Sequence, residues 1–224
     1  MINENSNEIT LKIIILGSTQ VGKTSILNRY FNNDFKGNML STIGIDFKTK
    51  YIKYEDQKIK FNYIDTAGQE KFRAISSNYL KGTNGALLVF DITQKDTFDL
   101  INYWIDIIKE SNDSNIAKLL FGNKSDLSDN REVPKEDAES MANELDCLYI
   151  EGSAKTGENV QEALDELSRM SFNYYKELKE SEKRRSIRIT SEEEVSNSNS
   201  ENTKDKNKKN NKKKKRCDFK CLII

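Results

Sequence analysis

Gly17-Ser18-Thr19-Gln20-Val21-Gly22-Lys23-Thr24 sets two glycines, a lysine and a hydroxyl at the spacing G-x-x-x-x-G-K-[ST]. The octapeptide follows the apolar run Leu11 to Leu16 and precedes Ser25-Ile26-Leu27-Asn28-Arg29-Tyr30-Phe31, which reads as a helix. Successive N–H groups at the start of a helix present donors and a positive dipole end to a polyanion. Glycine lets the backbone come close, Lys23 has the reach for β- and γ-phosphates, and the Thr24 hydroxyl suits magnesium. Ser18, Thr19, Gln20, Val21 and Ser25 complete this candidate phosphate contact. The competing reading is a Gly/Ser/Thr-rich turn that matches the pattern by chance.

Three further clusters carry chemistry. In Asp65-Thr66-Ala67-Gly68-Gln69-Glu70 the Asp65 carboxylate could hold magnesium through water, and the Gly68 N–H could donate to a γ-phosphate. Gln69 has both a donor and an acceptor, which suits it to orienting an attacking water. In Asn123-Lys124-Ser125-Asp126 the Asp126 carboxylate could accept both N1–H and N2–H of guanine, a pair of donors that adenine lacks. Ser153-Ala154-Lys155 could set a backbone N–H near guanine O6. Taken singly, each is also compatible with an ordinary capped turn.

The elements that must position these clusters follow from hydrophobic pattern. Leu11 to Leu16, Ala86 to Phe90 and Ala117 to Phe121 are short, nearly continuous apolar runs, as in strands buried on both faces. Ile45 to Tyr54 and Ile59 to Ile64 alternate and read as a strand pair joined at Glu55-Asp56-Gln57. Helical spacing marks Phe98 to Lys109, a helix opened by Pro134 and running to Leu145, and a last helix with Val160, Ala163, Leu164, Leu167 and Met170, fading near Leu178. Leu148 to Ile150 is a brief strand. Alternating strands and helices predict an α/β fold, a mostly parallel central sheet with helices on both faces. Ligands on such sheets bind beyond the C-terminal strand ends, where all four clusters fall.

The chain of 224 residues has zero formal net charge, unevenly spread. Lys204 to Lys220 holds nine Lys and one Arg against Asp205 and Asp218, so a segment of +8 follows a body of −8. No histidine is present, which excludes an imidazole base. Cys147, Cys217 and Cys221 form no disulfide framework, so a reducing compartment is expected. Residues 1–8 read as a flexible, polar N-terminus without signal-peptide character, residues 9–180 as one domain, and residues 181–224 as a disordered tail. Cys221-Leu222-Ile223-Ile224 matches the C-a-a-X prenylation box, with Lys212 to Arg216 as the second, electrostatic membrane signal. Cys217 is either a palmitoylation site or an idle thiol. Nuclear import or nucleic-acid binding is the rival reading of the lysine run; the adjoining box favours an anionic membrane and no nucleic acid.

Taken in order, the phosphate loop, Thr42, D-T-A-G-Q, N-K-S-D and S-A-K resemble a Ras-superfamily small GTPase over about residues 9 to 178. Ser41 to Lys48, Lys71-Phe72-Arg73 and Ser77 to Gly82 resemble the Rab branch in particular. The resemblance implies a P-loop G domain that binds GTP/GDP with Mg2+ and hydrolyses GTP. Gly17 to Ser25, Phe35, Thr42, Asp65, Gly68, Asn123, Lys124, Asp126 and Ser153 to Lys155 would form the nucleotide site. Thr24, Thr42 and Asp65 would attend the metal, Phe35 would lie against the guanine, and Gln69 would be catalytic. It also implies exchange factors, GTPase-activating proteins, effectors, a prenyltransferase and a GDI-like prenyl-binding carrier, with the protein cycling between cytosol and the cytoplasmic face of a membrane in vesicle traffic. A Ras- or Rho-like signalling GTPase and a poorly hydrolysing GTP-dependent scaffold are the alternatives. Two positions depart from the Rab pattern. Ile64 replaces the tryptophan that joins Phe47 and Tyr79 in an effector-facing triad, and Gln20 replaces a small loop residue.

Overall fold

The structure is a computed structural model that describes residues 8–37, 45–54, 56–66, 80–110 and 116–208, with backbone alone beyond 186. Met1–Lys176 forms one compact unit and Glu177–Ile224 a second. In the first, the described strands are β1 (Thr10–Leu16), β2 (Ile45–Tyr54), β3 (Gln57–Thr66), β4 (Gly85–Asp91), β5 (Ala117–Asn123) and β6 (Leu148–Glu151). They make one sheet in the order β2-β3-β1-β4-β5-β6. Only β2 runs antiparallel, with Tyr54 opposite Gln57 at a tight hairpin; every other pairing is parallel. Parallel neighbours require crossover connections, and here helices supply them. The described helices are α1 (Lys23–Asn32), α2 (Lys95–Asp99), α3 (Ile101–Glu110) and α4 (Lys135–Glu144), which lie between strands, and α5 (Val160–Lys208), which follows β6.

Because successive strand residues face opposite ways, β1 feeds two cores at once. Leu11, Ile13 and Ile15 pack with Ile26 and Leu27 of α1 and Leu164 and Leu167 of α5. Ile14 and Leu16 pack on the other face with Trp104, Ile105 and Ile108 of α3 and Ala138 and Ala142 of α4. All seven residues of β4 are buried, which is why its sequence shows no polar alternation. The expected mostly parallel, helix-covered sheet is thus the observed one.

Element ends differ from the sequence expectation in three places. The single helix expected over Phe98 to Lys109 is two, α2 stopping at Leu100, whose N–H bonds to the Phe98 carbonyl; the apolar stripe belongs to α3. Strand β5 continues past Phe121, because Gly122 and Asn123 still pair with Phe90 and Asp91. Helix α5 runs to Lys208, although its apolar stripe ends near Phe172. Residues 177–186 are exposed throughout, and local ion pairs support their helix: Lys179 with Glu182 at 2.9 Å and Arg184 with Glu180 at 3.3 Å. Such pairs contribute roughly 0.2–0.5 kcal/mol each, and a helix without tertiary packing is marginal in water, as suits a tail that can bury no core.

Gly85 marks a close approach of α5 to the sheet. A Cβ there would collide with Ser171 Oγ, which donates at 2.7 Å to the Leu167 carbonyl, and would press on Leu167 itself. Gly85→Ala should therefore destabilise the fold by about 1–3 kcal/mol in urea unfolding, as overpacked cores do. Adding Ser171→Ala should recover part of that loss, a coupling that a double-mutant cycle reads directly.

Candidate functional site

The C-terminal ends of the parallel strands surround a cavity of about 450 Å3. Thr19, Gln20, Gly22, Lys23, Thr24 and Ser25 line one side, Phe35 one rim, and Asn123, Lys124, Asp126, Ser153, Ala154 and Lys155 the other side. The structure thus brings together the phosphate-loop, N-K-S-D and S-A-K clusters. Gly17, Ser18 and Val21 form the buried back of the loop. Thr42, Gly68 and Gln69 lie outside the described residues, as do Cys217 and Cys221.

Why the loop has its shape follows from two residues. Gly22 sits at φ 97°, a left-handed conformation, and any Cβ on it would strike the Asn123 side-chain amide. That amide, from the end of β5, is almost wholly buried. Its Nδ2 donates to the Val21 carbonyl at 2.6 Å, and its Oδ1 accepts from the Ala154 N–H at 3.0 Å. One side chain therefore fastens the phosphate loop to the S-A-K loop. No side chain caps α1 and no acidic residue occupies its first turn, which leaves the positive end of the helix facing the cavity. Lys23 Nζ lies within the loop, donating to the carbonyls of Gly17 at 2.8 Å and Ser18 at 2.7 Å. Gln20 holds φ 61° and is exposed at the mouth, so the departure from a small residue also loads a left-handed position with a long side chain.

The other side is organised around Asp126. Its Oδ1 accepts from Ser153 Oγ at 2.6 Å and its Oδ2 pairs with Lys155 Nζ at 3.1 Å. Burial alone would raise this carboxyl, but the Ser153 and Lys155 bonds outweigh it and hold Asp126 below the usual carboxylate range. It is therefore an ionised, oriented acceptor at the cavity wall. The Ser153 hydroxyl also accepts from the N–H groups of Lys155 and Thr156, at 3.1 and 3.2 Å, so the loop's amides are already ordered by its own side chains.

Lys124 lines the cavity, as expected of a site residue, while its ammonium is engaged within the chain. It adopts φ 72°, and its Nζ pairs at 2.5 Å with Asp91, which ends β4 and is fully buried. The other Asp91 oxygen accepts from Thr93 N–H at 3.0 Å and Thr93 Oγ1 at 2.7 Å. The ammonium is thus committed to Asp91, and the stem of Lys124 is what lines the cavity. Sequence reading missed Asp91 in this role; an acidic residue closing a wholly apolar strand was the signal available.

Asp65, at the end of β3, is also fully buried. Desolvation pushes its carboxyl above the usual range, and the Thr24 hydroxyl and Lys23 ammonium pull it part of the way back. Both of its oxygens remain short of a complete hydrogen bond among the described residues. A buried carboxylate beside a threonine hydroxyl fits a hard, oxygen-seeking cation such as Mg2+.

The family model described as the Ras family matches residues 12–173. Ras-related protein RABA5e of Arabidopsis thaliana is 39% identical over 163 residues, covering 73% of this chain and 75% of that protein. Ras-related protein Rab-8B of Homo sapiens is 42% identical over 158 residues, covering 70% and 76%. GTP-binding protein ypt2 of Schizosaccharomyces pombe is 38% identical over 168 residues, covering 75% and 84%.

Asn123→Ala should leave the Val21 carbonyl and the Ala154 N–H without their buried partner. At about 1–3 kcal/mol for each of the two orphaned groups, the urea midpoint should fall by an amount corresponding to about 2–6 kcal/mol.

Proposed function

The chain belongs to the Ras family, in its Rab branch, and is a GTPase; from that premise we propose that it is a membrane-anchored GTP/GDP switch in vesicle traffic, with the cavity as its nucleotide site. The observation that supports the site reading is the Asn123 amide, which ties the G-x-x-x-x-G-K-T loop to the Ser153-Ala154-Lys155 loop on one cavity. The phosphate loop and the α1 N-terminus would hold the triphosphate, with Lys23 exchanging its loop carbonyls for phosphate oxygens. Asp126 would accept from guanine N1–H and N2–H, and Phe35 would cover the base. Thr24, Asp65 and Thr42 would hold Mg2+, which when bound neutralises charge on the β- and γ-phosphates. Gln69 would orient the attacking water, and Thr42 would sense the γ-phosphate, so that its loss releases the loops on either side.

Residues 9–180 would act as the G domain and residues 181–224 as the tether. Among the described residues no helix is long and apolar enough to cross a membrane. Attachment is assigned to a prenyl group on Cys221, aided by the lysine run, where each basic residue near an anionic leaflet contributes about 1 kcal/mol. Cys217 is a second candidate for lipid. An exchange factor, a GTPase-activating protein, effectors, a prenyltransferase and a GDI-like carrier would be the partners. Effectors would meet Phe47, which is 58% exposed on β2 opposite the buried Ile64.

Base selection tests the site. Asp126→Asn turns one acceptor oxygen into an N–H2 donor facing the guanine amino group, whereas the C2 carbonyl of xanthine accepts from that donor. Competition titration should show GDP affinity falling and xanthosine diphosphate affinity rising; an unchanged preference for GDP would remove Asp126 from base reading. The anchor is tested by Cys221→Ser, which should move the protein from the membrane to the cytosolic fraction. Neutralising Lys212 to Lys215 should weaken membrane binding in a salt-dependent way.

A further inference from the structure

Arg29 lies on the fourth face of this arrangement, in the last turn of α1, and its side chain leaves the helix to enter the S-A-K loop. Its Nε donates to the Ala154 carbonyl at 3.0 Å and its Nη2 to the Lys155 carbonyl at 2.6 Å. Its Nη1 donates to the backbone carbonyl of Asn33 at 3.0 Å and to Asn33 Oδ1 at 3.1 Å. Asn33 is itself fixed: it caps α1 in a left-handed conformation, with its N–H on the Arg29 carbonyl at 2.9 Å. The Arg29 stem runs beside Gly157, where an added Cβ would sit 3.4 Å from Arg29 Cδ. The guanidinium thus bridges two loops separated by more than a hundred residues of sequence, and all four acceptors are neutral oxygens. A planar fork with donors in fixed directions can make this set of bonds; a single ammonium cannot.

The two carbonyls that Arg29 holds belong to the same tripeptide as the residues that hold Asp126. Ser153 precedes Ala154, and Lys155 supplies both the carbonyl bonded to Arg29 and the ammonium paired with Asp126. We propose that Arg29 is a positioning residue for base recognition, locking the Ser153-Ala154-Lys155 loop to the phosphate-loop helix so that Asp126 is aimed at the guanine edge. The assignment rests on the reading of Asp126 as the base acceptor. It also gives α1 a second task. The helix whose N-terminus faces the phosphates anchors the base loop from its C-terminal end, so the two halves of the site keep one separation.

The consequence is specific to the base. Guanine offers N1–H and N2–H to the carboxylate, and hypoxanthine offers N1–H alone, so a misaimed Asp126 loses more with GDP than with inosine diphosphate. The experiment measures dissociation constants of GDP and inosine diphosphate for the full chain, for Arg29→Met and for Arg29→Lys, with thermal melts alongside. Arg29→Met should weaken GDP by about tenfold, the scale of one charge-assisted hydrogen bond, and lower the preference for GDP over inosine diphosphate. Arg29→Lys, which keeps stem and charge and remains the informative variant should the methionine variant fold poorly, should shift the preference the same way by less. Equal weakening of both nucleotides, or a lowered melting temperature with the preference intact, would overturn the positioning role and leave Arg29 a general brace. A wild-type protein that shows no preference for GDP over inosine diphosphate would overturn the Asp126 reading itself, and the proposal with it.

Discussion

A single buried amide holds the site together. Asn123 needs one donor directed at the Val21 carbonyl and one acceptor directed at the Ala154 N–H, both on one planar group and out of contact with water. A carboxylate would face the Val21 carbonyl with a second acceptor, and an apolar residue would leave two backbone groups unpaired in a low-dielectric place, where each costs about 1–3 kcal/mol. The requirement propagates outward. Gly22 must lack a Cβ because the amide occupies that space, and β5 must extend two residues beyond its apolar run to deliver the amide there.

The strands were legible because burial on both faces writes itself as uninterrupted apolar runs, as in Ala86 to Phe90 and Leu11 to Leu16. Three site clusters, the phosphate loop, N-K-S-D and S-A-K, were legible as neighbours on one cavity because each pattern is local to a few residues. What pattern could not show is which distant groups they bind. Nothing in the spacing of Lys124 says that its ammonium is held by Asp91, and Arg29 reads as one polar position on an amphipathic helix until Ala154 and Lys155 are seen against it. Similarly, pattern places Tyr30 on a helix and Tyr63 on a strand without saying that their hydroxyls join Asp165 at 2.5 Å and Ser168 at 2.7 Å and pin α5 to α1 and β3. Helix ends were misjudged for a related reason. Periodicity reports the face that is buried, so it goes silent where a helix continues on local propensity alone, as beyond Glu177.

The cavity also sorts its charges in a way that bears on what enters it. Lys23 is held by two loop carbonyls, dipoles that a phosphate can replace at little cost. Lys124 is neutralised by Asp91, so it adds cover to the base side without adding attraction for phosphate there. Asp126 is kept ionised by the Ser153 hydroxyl on one oxygen and the Lys155 ammonium on the other. Each of these charges has its counterpart within the chain. Asp65 is the exception: fully buried, raised by desolvation, and short of complete hydrogen bonds among the described residues. Its position beside the Thr24 hydroxyl, with the Lys23 ammonium close enough to act on it, puts a carboxyl that the chain compensates only in part at the phosphate-loop end of the cavity. In its ionised form that carboxyl would repel an anionic ligand arriving alone. A divalent cation arriving with phosphate would meet that carboxyl with opposite charge, which would link the metal and nucleotide roles proposed for this end of the cavity.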